Sequence, residues 1–198
     1  MTTIADLRAR IRKDLHDTDA SSYRWPDSQL DRHIERALEE VSLAIPMEKT
    51  ASLSTTPGSR ELSLISLSGL VEVETVEYPA GAFPPAHVDF SRWGDTLMLN
   101  VAESPADETA VLFYTARHNL DDEGTSLPGS LEDLVCMGAA AYAAVEQGVF
   151  TIDRLNTGQQ VSGDYEAWGR AHLTAFTQLL YQYGRANRVR SRRLFRPA

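Results

Sequence analysis

The hydrophobic period of this chain changes twice, and that double change limits what the chain can fold into. Near the N-terminus Ile4, Leu7, Ile11 and Leu15 recur at steps of three and four, the spacing of one helical face. A polar loop, HDTDASSYRWPD, follows, and Asp27 stands where a helix cap accepts amide hydrogens from the next turn. Leu30, Ile34, Ala37, Leu38, Val41 and Ile45 form a second stripe, which Pro46 ends because it has no amide hydrogen. From about Met47 the step falls to two. At Leu131 the helical step returns, through Leu134, Val135, Gly138, Tyr142, Val145 and Val149. A last stripe begins near Ser162 and runs through Tyr165, Trp168, His172, Phe176, Leu179 and Tyr183.

Between the helical stretches, Ala51 and Leu53 and then Leu62 and Leu64 flank Thr56-Pro57-Gly58-Ser59, which predicts a β-hairpin. Val71, Val73 and Val76 alternate or nearly alternate with Glu72, Glu74 and Glu77, and HVDFSRW and TLMLNV are separated by Gly94-Asp95. TAVLFYTAR has the length and the β-branched and aromatic content of a strand. Five or six short antiparallel strands are therefore expected between about residues 48 and 118. Four helical stripes must each be covered, and a bundle covers them most simply. The expected fold class is α+β: a four-helix bundle of two N-terminal and two C-terminal helices with an inserted antiparallel β region. Its parts are residues 1–46 and 127–184 for the bundle, 47–126 for the β subdomain, and 185–198 for a basic tail.

The tail, RANRVRSRRLFRPA, holds six arginines and no acidic residue. The whole chain carries a net charge of -9, with 19 Lys and Arg against 28 Asp and Glu; without the six arginines the balance is 13 against 28, or -15. An acidic body argues against broad coating of nucleic acid, so the cationic end is a local device. Arginine forms bidentate, charge-assisted bonds with carboxylates and phosphates. Leu194 and Phe195 among the arginines favour a protein groove, where an apolar pair fills a pocket and the charges pair around it. Arg185, Arg188, Arg190, Arg192, Arg193, Leu194, Phe195 and Arg196 are thus the candidate docking residues. An alternative is a DNA-binding or small-molecule-binding module with a basic C-terminal arm, in which Phe90, Trp93 and Tyr114 would wall a pocket; core or subunit contact is the plainer role for those three.

Little else points to chemistry. The histidines at 16, 33, 87, 118 and 172 lie in different elements, and none pairs at the i, i+4 spacing that grips a metal. His172 sits on an apolar stripe as a core or interface histidine, and His33, beside Glu35 and Arg36, on a solvated face. Asp17-Thr18-Asp19 and Asp121-Asp122-Glu123-Gly124 do not continue as calcium loops and read as solvated. The glutamates of the Val-Glu alternation read as the wet face of a strand, since a catalytic pair needs one desolvated member. Cys136, the single cysteine, has apolar neighbours and reads as a buried thiol. No catalytic residue, cofactor site or metal site is expected. The charged N-terminus and the lack of a run of about 20 apolar residues predict neither a secretory signal nor a membrane span.

Leu7, Arg8, Arg12, Leu15 and Asp17, then Arg24-Trp25, then Asp27, Leu30, Ile34 and Ala37 resemble the opening of tailed-phage head-to-tail adaptor (connector, head-completion) proteins, with short-tailed-phage adaptors the nearest in layout. Pro26 and Glu35 depart from the Ser or Thr and the Asn usual there. In that family Trp25 would anchor the loop and Asp27 would close the helix start. The resemblance implies a structural virion protein, made in the host cytoplasm, at the head-to-tail junction. It implies a ring, twelve copies in such families, bound beneath the portal protein and extending the DNA channel, with a platform for tail or nozzle proteins. Genomic DNA would pass without sequence-specific contact, no membrane would be involved, and no catalysis is implied. The C-terminal segment in such adaptors reaches toward the portal.

Overall fold

The computed structural model describes residues 2–152 and 159–194, with side chains described for 2–148 and 165–186. Among the described residues four helices, α1 (Ile4–Asp14), α2 (Asp27–Ala44), α3 (Gly129–Ile152) and α4 (Gln159–Leu194), bracket seven strands in chain order. The strands are β1 (Met47–Ser54), β2 (Glu61–Ser63), β3 (Leu70–Glu77), β4 (His87–Val88), β5 (Phe90–Trp93), β6 (Thr96–Leu99) and β7 (Thr109–Ala116). Contacts divide the chain into a helical unit, through Ile45 and from His118 to Ala186, and a second unit made of the strands over Pro46–Arg117 and grouped with the end of α4 from Asn187 on.

The helical unit is held by one core. Leu7, Ile11, Trp25, Leu30, Ile34, Ala37 and Val41 bury against Leu131, Leu134, Val135, Ala139, Ala143 and Phe176. The small residues of α3 let its neighbours come close. A methyl group on Gly138 would lie 2.8 Å from the Phe176 ring and 3.1 Å from the Ala37 methyl. One on Gly169 would lie 2.9 Å from the Val145 backbone nitrogen and 3.0 Å from the Ala141 carbonyl oxygen, so α3 and α4 meet nearly backbone to backbone there. The start of α1 is closed by Thr3, whose hydroxyl accepts from the Asp6 amide while the Asp6 carboxylate accepts from the Thr3 amide.

The fold is α+β, but the expected bundle of two N-terminal and two C-terminal helices with one inserted β set does not form. The helices have 11, 18, 24 and 36 residues. At about 1.5 Å per residue α1 is about 16 Å long and α4 about 54 Å, so the two cannot run side by side as matched staves. The strands, moreover, build two antiparallel sheets, a four-stranded one in the order β1-β7-β3-β4 and a three-stranded one in the order β2-β6-β5.

The expected hairpin at Thr56–Ser59 is also corrected. A turn is present, with Ser59 N–H donating to the Thr56 carbonyl at 2.9 Å and Gly58 at φ 80°. The strands on either side of it nevertheless part company: β1 pairs with β7, from Met47 opposite Ala116 to Ser54 opposite Thr109, and β2 pairs with β6. A hairpin is found instead at Gly94-Asp95, where β5 pairs with β6 and Trp93 lies opposite Thr96. Both sheets contribute to one core, in which Leu62, Leu64, Leu97 and Leu99 from one and Val73, Val76, Leu112 and Tyr114 from the other are buried.

The strands leave the helical unit after Ile45 and return to it at His118, which holds the two ends together within the helical unit. Its Nε2 is 3.0 Å from the Ile45 carbonyl oxygen, its Nδ1 is 3.2 Å from the Ser126 hydroxyl, and its backbone N–H donates to the Ser42 hydroxyl at 3.1 Å.

Candidate partner-binding site

The loop joining α1 to α2 closes around a buried charge. Arg12, which is not part of the apolar stripe of α1, is nevertheless 5% exposed. One of its terminal nitrogens donates to Asp17 Oδ2 at 2.7 Å, and the other to the Trp25 carbonyl at 2.8 Å and to Asp27 Oδ1 at 2.6 Å. The Tyr23 ring covers the guanidinium at 3.6 Å. Asp17, expected in a solvated loop, is 7% exposed and also accepts from the backbone N–H groups of Arg24, at 2.8 Å, and Trp25, at 3.3 Å. A buried cation needs a carboxylate and further acceptors to replace its water, and here two carboxylates and a backbone carbonyl serve.

Trp25 is fully buried, with its indole N–H donating to the Ala143 carbonyl at 3.2 Å and its ring edge-on to Tyr165. Asp27 does not act as the helix cap. It is the first residue of α2, Pro26 holds the cap position, and no side chain caps the helix start. The Asp27 carboxylate turns to Arg12 instead, whose hydrogen bond and charge hold it below the usual carboxylate range.

At the other end of the chain α4 continues without a break through Leu194. Arginine is a good helix former, and between Arg185 and Leu194 there is neither glycine nor proline to interrupt the backbone. Arg185 is exposed, and Arg188, Arg190, Arg192, Arg193 and Leu194 occupy successive positions on the same helix. Phe195 and Arg196 lie outside the described residues.

The remaining candidates scatter. Tyr114 belongs to the β core and Phe90 packs on it, whereas Trp93 is 90% exposed, so the three do not wall a common pocket. His172 is half-buried, stacked on Trp168 with ring centres 3.8 Å apart. His33, expected on a solvated face, is buried between α2 and α3. Its Nε2 lies 2.6 Å from a Glu146 carboxylate oxygen without hydrogen-bond alignment. Burial pushes its pKa down, against the pull of Glu146. Cys136 is buried, which pushes its thiol up to about 12. Among the described residues no group of three or more His, Cys, Asp or Glu is placed to hold a metal, and no helix is long and apolar enough to cross a membrane.

The residues that sequence reasoning missed are Arg12 and Asp17 as a pair. A signal existed in the placement of an arginine one turn before a Leu-x-Asp, but the burial arises only when the loop folds back over it. Compared with known protein families, the chain matches the model described as SU10 adaptor protein over residues 2–197. No curated protein matches it.

Proposed function

Since the chain belongs to the SU10 adaptor protein family, a family of phage head-to-tail adaptors, we propose that it assembles as a ring beneath the portal, extends the DNA channel and offers the platform on which the tail is built. Adaptors of this kind are structural proteins of the virion. In this reading the work is done by geometry: the helices (1–46 and 127–184) form the body of the ring, the β subdomain (47–126) adds lateral and tail-facing surface, and the basic segment (185–198) holds the portal. Twelve copies would match the symmetry of a portal, and DNA would pass without sequence-specific contact.

The observation that carries this reading is the unbroken course of α4 from the helical core into the arginine-bearing segment. A helix that is already formed spends less entropy on docking than a disordered arm does. Its arginines suit an acidic groove, with Leu194 and Phe195 filling an apolar notch within it. Docking by Arg185, Arg188, Arg190, Arg192, Arg193, Leu194, Phe195 and Arg196 is tested by truncation after Gly184. The shortened chain should remain folded and lose co-sedimentation with purified portal; undiminished co-assembly would refute the assignment. A DNA-binding arm is the competing outcome. It would show as binding of the full chain to duplex DNA that falls steeply with salt, by a slope set by about six neutralised phosphates.

A further inference from the structure

The hairpin joining β5 to β6 presents an aromatic side chain that the protein's own core does not use. Trp93 is 90% exposed, with Gly94 and Asp95 forming the turn beside it. The turn is braced from two sides. Arg92 donates from Nε to the Gly94 carbonyl at 3.0 Å and from a terminal nitrogen to the Val71 carbonyl at 3.1 Å, and the Asp95 carbonyl accepts from Leu64 N–H at 2.8 Å. A large apolar ring held out on a fixed backbone has the character of an interface anchor, because little conformational entropy is left to lose on binding.

The helical unit carries a cavity suited to receive it. The space is an open hollow of about 660 Å³ on the surface of the helices. Cys136, Met137 and Ala140 of α3 line it, Trp168 stands at one side, and the end of α1 borders it. The charges around it are unevenly spent. Arg10 is bonded to Glu132 at 2.9 Å with Asp133 at 3.7 Å, and partial burial, together with the Asp133 charge, pushes the Asp14 carboxyl above its usual range against the pull of His172 and His16. Lys13, also on the border, has no carboxylate partner among the described residues. The Asp95 carboxylate beside Trp93 likewise has no cation partner among them.

We propose that the Trp93 hairpin of one copy seats in this cavity on a second copy, with the indole against Cys136, Met137 and Ala140 and Asp95 meeting Lys13. The two surfaces differ and lie on different parts of the chain, so the contact is heterologous: each copy offers a hairpin to one neighbour and a cavity to the other, the arrangement from which rings are made. Burial of a tryptophan removes on the order of 150–250 Å² from water, enough to make this residue the anchor of the contact. The proposal rests on the reading that copies assemble with one another.

The test uses the full chain with p-benzoylphenylalanine in place of Trp93, irradiated with and without purified portal, with products mapped by mass spectrometry and the assembly state followed by sedimentation. Crosslinks to residues 133–140 or 165–172 of another copy are expected. Assemblies whose crosslinks map elsewhere overturn this contact and leave ring formation standing, whereas a single monomeric species under both conditions overturns both. A second arm reads the ion pair. Lys13→Glu should weaken association at least about tenfold, and Lys13→Asp combined with Asp95→Lys should restore most of it. Unchanged association in Lys13→Glu, or no recovery in the swap, counts against the Lys13–Asp95 pairing that fixes the orientation.

Discussion

Arg12 and Asp17 meet at 2.7 Å with both side chains 7% exposed. Four residues of chain lie between them, and the loop between α1 and α2 is organised around that contact. Removing Arg12 leaves a buried carboxylate held only by backbone amides, and removing Asp17 leaves those amides and one guanidinium N–H without their acceptor, with Asp27 the one carboxylate still on Arg12. Asp17→Ala should therefore destabilise the fold by about 3–5 kcal/mol, far more than loss of an exposed pair. Arg12→Lys should recover only part of the stability lost in Arg12→Ala, because an ammonium cannot reach Asp17, Asp27 and the Trp25 carbonyl in one planar fork. Urea denaturation followed by circular dichroism measures both.

Gly169 and Gly138 should answer differently to the same change. In an exposed helix interior, glycine to alanine gains up to about 1 kcal/mol from propensity. At Gly169 the new methyl meets the backbone of α3, which cannot step aside, and a net loss of about 1–3 kcal/mol is expected. At Gly138 the nearest atoms are the far end of the Phe176 side chain and not backbone, so a small side-chain shift can relieve the contact and the loss should be smaller. Thermal melts of the two variants, compared with the parent protein, give the order directly.

His33 makes stability depend on pH. Burial lowers its folded-state pKa below the ordinary value of 6.5, so the folded protein takes up the proton less readily than the unfolded chain. The stability gained is present above about pH 6.5 and is lost as pH falls from there toward the folded pKa. Denaturant midpoints measured from pH 7.5 to pH 5 should drop for the parent protein. His33→Gln should flatten that part of the curve, and an unchanged slope would remove His33 as its cause.

Trp25 and Trp93 predict a division in fluorescence. Iodide should quench Trp93 readily and leave Trp25 untouched, since Trp25 is sealed in the helical core. Trp25→Ala should cost about 3–5 kcal/mol, whereas Trp93→Ala should leave the melting temperature nearly unchanged.

The helices were legible because their stripes are long: Ile34, Ala37 and Val41 lie buried where the step of three and four places them. Trp25 could be read as a candidate, but Arg12 could not be read as buried, because on the helix alone it falls outside the apolar stripe and only the returning loop encloses it. Sheet partners were illegible for a related reason. The turn chemistry of Thr56–Ser59 is local and real, yet β1 finds its best hydrogen-bonding partner in β7, more than fifty residues away. His33 was misplaced because its chain neighbours Glu35 and Arg36 are polar, while the residues that bury it belong to α3. The arginines of the C-terminal segment were plain as a change of sign, but their place on the same helix as Trp168 and Phe176 was not.

The clasp that His118 forms with Ile45 and Ser42 sets where the β unit leaves and rejoins the helices, and Met47 faces Ala116 immediately beyond it. A segment that departs and returns at a single doorway can be exchanged for another without rebuilding the scaffold around it. Exchange of the stretch between Pro46 and Arg117 for a related one therefore asks for new fits at two neighbouring peptide links and nowhere else along the backbone of the helices.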